Sequence, residues 1–256
     1  MLVVDDVSKR YLPPPRWLRP LVRTAASEPV EALRHASFSV APGEIVGLVG
    51  PNGAGKTTLI KIIATLLEPT AGHVLIDGID VSEQPLHARR RLGVVLADDR
   101  GLYWRLSGRQ NLELFGVITG LPRSMARDRA VALMRRTGLH GRDRLVFGYS
   151  SGMRTQLSLA RCLLGDPGLL VLDEPNRSLD PLASAEVATL LGELAEEGRA
   201  VLLSSHRLDE VASLCHQVVV VVDGTVRYIG TPADLGADGT DAAAALAALL
   251  AEEAAT

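Results

Sequence analysis

Gly50-Pro51-Asn52-Gly53-Ala54-Gly55-Lys56-Thr57-Thr58 has the spacing G-x-x-x-x-G-K-[ST]. Glycines in this pattern let a backbone curl around an anion with several N–H groups pointing inward. A helix starting at Lys56 adds the positive end of its dipole. Lys56 can reach the outer phosphates of a nucleotide, and the Thr57 hydroxyl can hold Mg²⁺. A second patch of chemistry lies in Leu169-Leu170-Val171-Leu172-Asp173-Glu174. Four apolar residues predict a buried strand, and the two carboxylates emerge at its C-terminal end, where open α/β sheets bind ligands. Asp173 is the expected Mg²⁺ ligand, through water. Glu174 is the expected general base for in-line attack on a γ-phosphate.

These two motifs alone leave kinases, GTPases, helicases and transport ATPases open. A guanine reader of the form Asn-Lys-x-Asp is absent, since the asparagines are Asn52, Asn111 and Asn176 and none fits. A third motif, Tyr149-Ser150-Ser151-Gly152-Met153-Arg154, puts a turn of small residues at the start of a predicted helix. That is a second anion site. One chain folding on one ATP needs a single such site, whereas an ATP held between two subunits needs both.

A set of strands and helices must position these groups. Strands are predicted at Leu2–Val7, Glu31–Val40, Glu44–Gly50, His73–Ile76 and Leu92–Leu96. Lys56–Leu67 is a predicted helix with Leu59, Ile62, Ile63 and Leu66 on its inner face. Ser107–Thr119, Ser124–Thr137 and Met153–Leu164 are predicted helices, the second with Val131, Leu133 and Met134 inward. From Gly168 on, strand, helix, strand, helix, strand implies a parallel sheet covered by helices. These elements are Gly168–Leu172, Pro181–Glu197, Ala200–Ser204, Arg207–Leu214 and Gln217–Val222. The turn Val222-Asp223-Gly224-Thr225 leads to a hairpin strand at Val226–Ile229. Leu12–Pro29 is proline-rich and predicted irregular. Asp238–Thr256 is alanine-rich and predicted to be at best a frayed or partner-dependent helix. The expected organisation is an α/β core over 1–97 and 166–235, a helical lobe over 98–165, and a tail over 236–256.

Taken together and in order, the motifs resemble the ATP-binding cassette family, specifically the nucleotide-binding subunit of a transporter. The resemblance covers about residues 1–235. Ser178-Leu179-Asp180 resembles the family's D-loop, Ser204-Ser205-His206 its switch histidine, and Tyr11 its adenine-stacking aromatic. The resemblance implies a RecA-like P-loop NTPase core with an antiparallel β subdomain and an inserted helical subdomain. It implies ATP and Mg²⁺ as cofactors and two cassettes closed head to tail, as a homodimer or with a similar chain. Lys56, Thr57, Asp173 and Glu174 of one cassette would then face Ser150 and Gly152 of the other. His206 would contact the γ-phosphate, and Asp180 would couple the two sites, which leaves it free to cap the helix at Pro181 as well.

The chain also departs from the family. The usual glutamine after the strand at Leu92–Leu96 is absent, and Asp98 is the expected substitute ligand. Ser151 stands for the first signature glycine, and Asn176 and Arg177 stand where small residues or threonine are usual. Tyr149–Met153 and Leu102–Leu112 resemble the bacterial exporter branch, which moves drugs, polysaccharides or lipids. Tyr103 and Trp104 read either as lobe-packing aromatics or as part of the groove for a membrane subunit's coupling helix. The loop Leu12–Pro29, with Trp17 among arginines, reads as solvated or as touching that subunit or lipid head groups. A non-transport cassette and a degenerate, ATP-binding regulatory cassette stand as alternatives.

Composition agrees with a globular partner of this kind. The 256 residues carry a formal net charge of −3, which argues against a nucleic-acid coat protein. No apolar run approaches the roughly 20 residues that span a bilayer, and no signal peptide is expected. The implied place is the cytoplasmic face of the inner membrane, through a separate membrane-spanning permease. The two cysteines, Cys162 and Cys215, have no metal spacing and read as small buried hydrophobes.

Overall fold

The computed structural model describes residues 1–13, 28–96, 101–139, 144–177, 179–235 and 241–255. The strands are β1 (Leu2–Tyr11), β2 (Val30–Val40), β3 (Ile45–Val49), β4 (Ala71–Ile76), β5 (Ile79–Asp80), β6 (Leu92–Val95), β7 (Leu169–Asp173), β8 (Ala200–Ser204), β9 (Gln217–Val222) and β10 (Thr225–Gly230). The helices are α1 (Lys56–Ile63), α2 (Pro85–Arg89), α3 (Gly108–Ile118), α4 (Arg123–Arg136), α5 (Ser151–Cys162), α6 (Pro181–Glu196), α7 (Leu208–Leu214), α8 (Pro232–Leu235) and α9 (Ala242–Ala255). The strands form two sheets. One is antiparallel, in the order β2-β1-β4-β5. The other runs β10-β9-β3-β8-β7-β6, parallel except for the hairpin strand β10.

Period-2 alternation sorts the parallel strands into two cores. Ile45, Leu170, Leu172, Val201, Leu203, Val218 and Val220 face the helical side, with α5, α6 and the lobe. Val46, Leu48, Leu169, Val171, Leu202, Val219 and Val221 face α1 and the antiparallel sheet. The strands are apolar throughout because both faces are covered, so β3, β7 and β8 are buried at every residue. At the roughly 25 cal/mol per Å² of apolar burial, this double layer is the main source of stability. Asp173 and Ser204 end β7 and β8 side by side.

Several predicted elements shift. Helix α1 stops at Ile63 instead of Leu67. Thr65 adopts a left-handed φ of 59°, the Thr65 N–H donates to the Ile62 carbonyl and the Leu66 N–H donates to the Lys61 carbonyl. This is a Schellman cap with threonine where glycine is usual. The Arg89 side chain braces it by donating to Thr65 Oγ1 and to its carbonyl. Leu66 is therefore exposed rather than inward. In α4 the buried face is Ala126, Ala130, Leu133 and Met134, which repeats at i, i+4, i+7 and i+8, and Val131 lies off it, partly exposed. The tail is a packed helix. Leu246 of α9 is buried, with Leu249 and Leu250 half-buried on the same face, and α9 lies on α7, α8 and β9. Alanine supplies helix propensity and the three leucines supply the contact. β5 and α2 lie outside the predicted elements. Both cysteines are buried, and burial pushes each thiol up to about 12. Among the described residues no helix is long and apolar enough to cross a membrane.

Candidate nucleotide site

The loop from Gly50 to Thr58 links β3 to α1 at the C-terminal edge of the parallel sheet. A Cβ on Gly50 would lie 2.0 Å from the Val221 carbonyl oxygen, so only glycine lets the loop leave β3 beside β9. Gly55 has a φ of 102° and sits against the Ala32 carbonyl, which fixes the entry to α1. Ala54 is buried beneath the loop, while Asn52, Gly53 and Thr57 are exposed along it. The Lys56 ammonium is buried and donates to the carbonyls of Gly50 and Pro51 at 2.6 and 3.0 Å. Burial lowers its pKa, opposed by the charges of Glu174 and Asp173. The Tyr11 hydroxyl lies 3.5 Å from Thr58 Oγ1, and Lys9 Nζ stands 5.5 Å from the Tyr11 ring centroid. This places the expected base-stacking ring, itself partly exposed, at the mouth of the loop.

The carboxylates meet this loop across the sheet edge. Asp173 is buried. The Thr57 hydroxyl donates to its Oδ2 at 3.5 Å, and the Ser204 hydroxyl donates to its Oδ1 at 2.7 Å. Glu174 takes a left-handed φ of 49°, an uncommon conformation for a residue with a side chain. Its N–H is held by the Ser204 hydroxyl at 3.0 Å and the Ser204 carbonyl at 3.1 Å. This turns the Glu174 side chain toward His206, whose Nδ1 is 3.6 Å from Glu174 Oε2, and Arg177 Nε is 3.7 Å from the same oxygen. Lys56, Thr57, Asp173, Glu174 and His206 thus share one sheet edge. A cleft of about 290 Å³ beside it is lined by Asp173, Glu174, Arg177, Ser151, Arg154 and Trp104, among others.

Other expected residues stand at helix starts. Ser150 caps α5 by accepting from the Met153 N–H, and Gly152 is buried against Ala183 of α6. Asp180 caps α6 by accepting from the Ala183 N–H, with Pro181 at the first helical position. No described contact joins Ser150, Gly152 or Asp180 to the loop 50–58. Tyr103 and Trp104 are half-exposed and pack on the lobe, Tyr103 on Phe115 and Trp104 on Phe147 with Arg154 over its ring. The expected ligand Asp98, Ser178 of the D-loop motif and residues 14–27 of the proline-rich loop lie outside the described residues.

Two contributors are not evident from the sequence. Ser204 is visible there only as a residue before the switch histidine; its signal is a hydroxyl ending a buried strand next to that of Asp173. Arg177 stands out as a departure, but its approach to Glu174 depends on the turn between them.

The sequence matches the family described as ABC transporter over residues 33–177, more than half of the chain. The chain belongs to the ABC transporter family. The ATP-binding protein NatA of Bacillus subtilis is 39% identical over 202 residues, 78% of this chain and 82% of the relative. The doxorubicin resistance ATP-binding protein DrrA of Mycobacterium tuberculosis is 38% identical over 83% of this chain, which spans 64% of that relative's length. A solved dimer of an ATP-binding cassette, in a post-hydrolysis state with ADP and Pi bound, superposes with a TM-score of 0.77 at 25% identity. That match covers 90% of this chain and 98% of the other. The cassette is accordingly a P-loop ATPase.

Proposed function

We propose that this cassette hydrolyses ATP in a head-to-tail pair and that the pair drives a separate membrane-spanning permease in export. The observation that carries the hydrolytic reading is the placement of Glu174. Its carboxylate lies within 4 Å of His206 and one residue beyond the buried Asp173, which accepts from the Thr57 hydroxyl.

In this reading the N–H groups of Gly53 to Thr57 and the Lys56 ammonium grip the β- and γ-phosphates. Tyr11 stacks on adenine. The donors near Thr57 fit Mg²⁺, which keeps several waters and takes few protein ligands. One hydroxyl and one buried carboxylate converge there, and among the described residues no three His, Cys, Asp or Glu side chains are placed to hold a metal by themselves. When bound, Mg²⁺ would neutralise charge on the phosphoryl group. Glu174 orients the attacking water and accepts its proton, and His206 donates toward the γ-phosphate. Ser150 and Gly152, at the positive end of α5, are presented to the nucleotide of the opposite cassette. Asp180 adds its contact across the same interface. Asp98 is proposed as an additional metal ligand.

Export is supported by the likeness to a doxorubicin resistance protein. A groove of about 730 Å³ between β6 and the lobe, lined by Arg89, Arg90, Phe115 and Arg161, gives a permease segment a place to seat. Tyr103 packs on Phe115, one of the residues that line that groove. The cassette would then sit on the cytoplasmic face through its permease. The test is Glu174→Gln. Hydrolysis should be abolished and an ATP-dependent dimer should appear in size-exclusion chromatography. Hydrolysis equal to that of the parent chain would overturn the mechanism.

A further inference from the structure

We propose that Glu210 is a positioning residue for hydrolysis, which joins the three segments that carry Glu174, Asp180 and His206. Glu210 lies in the first turn of α7 and touches none of the groups assigned to the nucleotide. Its side chain is 15% exposed. Oε2 accepts from the Asn176 amide at 3.2 Å. Oε1 accepts from the Ser184 hydroxyl and from Arg207 Nη1, the latter at 2.7 Å.

Each donor belongs to a different piece of the machinery. Asn176 lies two residues after Glu174, in the turn that sets the left-handed Glu174 backbone. Ser184 lies in the first turn of α6, and its N–H donates to the Asp180 carbonyl. Arg207 comes directly after His206, and its own N–H is held by the Ser205 hydroxyl. Asn176 and Ser184 are both buried, at 7% and 4% exposure. Charge-assisted hydrogen bonds are strongest in such surroundings, and their loss leaves unpaired polar atoms.

The Asn176 amide depends on Glu210 in a specific way. Its Oδ1 is buried with no partner among the described residues, so Nδ2 toward Glu210 is its one described anchor. A flipped amide would aim Oδ1 at a carboxylate oxygen. Glu210 therefore fixes the turn carrying the base, and through Arg207 it fixes the link between β8 and α7 that carries the histidine. The loop 50–58 and Tyr11 have no described contact with this network. Positioning by Glu210 should thus act on turnover and spare nucleotide binding.

This inference rests on the hydrolytic reading of Glu174 and His206, so Glu174→Gln is measured in parallel. Purified full-length Glu210→Gln and Ser184→Ala are compared with the parent chain for steady-state ATP hydrolysis and thermal midpoint. In Glu210→Gln, one amide end must face a donor. The expected result is a kcat lowered about tenfold or more with KM for ATP within about twofold. Ser184→Ala should show a smaller loss in the same sense. A merely structural role would lower the midpoint and the folded fraction while leaving kcat per folded molecule unchanged. That outcome overturns the proposal, as does a loss expressed mainly in KM. Should Glu210→Gln not fold, Ser184→Ala decides alone, and an unchanged kcat in it counts against positioning. If Glu174→Gln hydrolyses normally, the base assignment fails. If Glu174→Gln is inactive and Glu210→Gln turns over normally, only the positioning role fails.

Discussion

Ser204→Ala isolates the hydrogen bond that holds the buried carboxylate at the sheet edge. The Ser204 side chain is fully buried and its hydroxyl serves two neighbours, donating to Asp173 Oδ1 at 2.7 Å and accepting from the Glu174 N–H at 3.0 Å. The second loss is mild, because the Ser204 carbonyl still accepts that N–H at 3.1 Å. The first loss is not compensated. Thr57 approaches the other oxygen, Oδ2, at a marginal 3.5 Å, so Oδ1 is left buried without its donor. A hydrogen bond to a charged group is worth about 1.5–3 kcal/mol, and the methyl left by alanine adds no new partner. With about 2 kcal/mol lost, a chain of this size should unfold about 4–8 °C lower. Thermal unfolding followed by circular dichroism checks this directly. ATP hydrolysis over a Mg²⁺ titration should also need more Mg²⁺ for half-maximal rate, since Asp173 is no longer locked. A midpoint within about 1 °C of the parent chain would refute the assignment of this bond as a main constraint on Asp173.

Leu246→Ala tests whether the alanine-rich tail belongs to the fold. Leu246 is buried against the main core, so about 2–3 kcal/mol should be lost in urea unfolding, and no change would show the tail to be independent. His73 gives a pH signature. The hydrogen bond from its ring to Asp80, reinforced by the charge of that carboxylate, raises its pKa above 6.5. Because the folded value is the higher one, the stabilisation is full below about pH 6.5 and is lost as pH rises through the folded pKa. The urea midpoint of the parent chain minus that of His73→Gln should therefore be largest in mild acid and shrink as pH rises. A difference that grows with pH would reverse the argument.

The parts of the site that are contiguous in sequence are legible in it. Gly50–Thr58 and Asp173-Glu174 each lie on a few consecutive residues at the end of a strand, and the chemistry comes with the residue types. The same holds for β8 and β9, whose observed ends equal the expected ones, because a strand buried on both faces is a run of apolar residues with polar neighbours at each end. Helix ends and helix faces are less legible. Thr65 stops α1 through a left-handed turn that its residue type does not advertise and that Arg89, 24 residues on, helps to hold. In α4, three alanines and arginines make the apolar period weak, and Val131 falls on the other side from the one expected.

What the sequence by itself determined is the set of local chemistries: a phosphate loop, a carboxylate pair ending a strand, capped helices and a histidine after a strand. Only the tertiary structure decided which of them meet. The register of β7 on β8 brings Ser204 to Asp173 across 31 residues, and the start of α7 brings Glu210 to Asn176 across 34. Periodicity says which face of an element is buried, since that depends on water alone. It does not say which neighbour lies across that face, because strand order and register are settled by the packing of both cores at once.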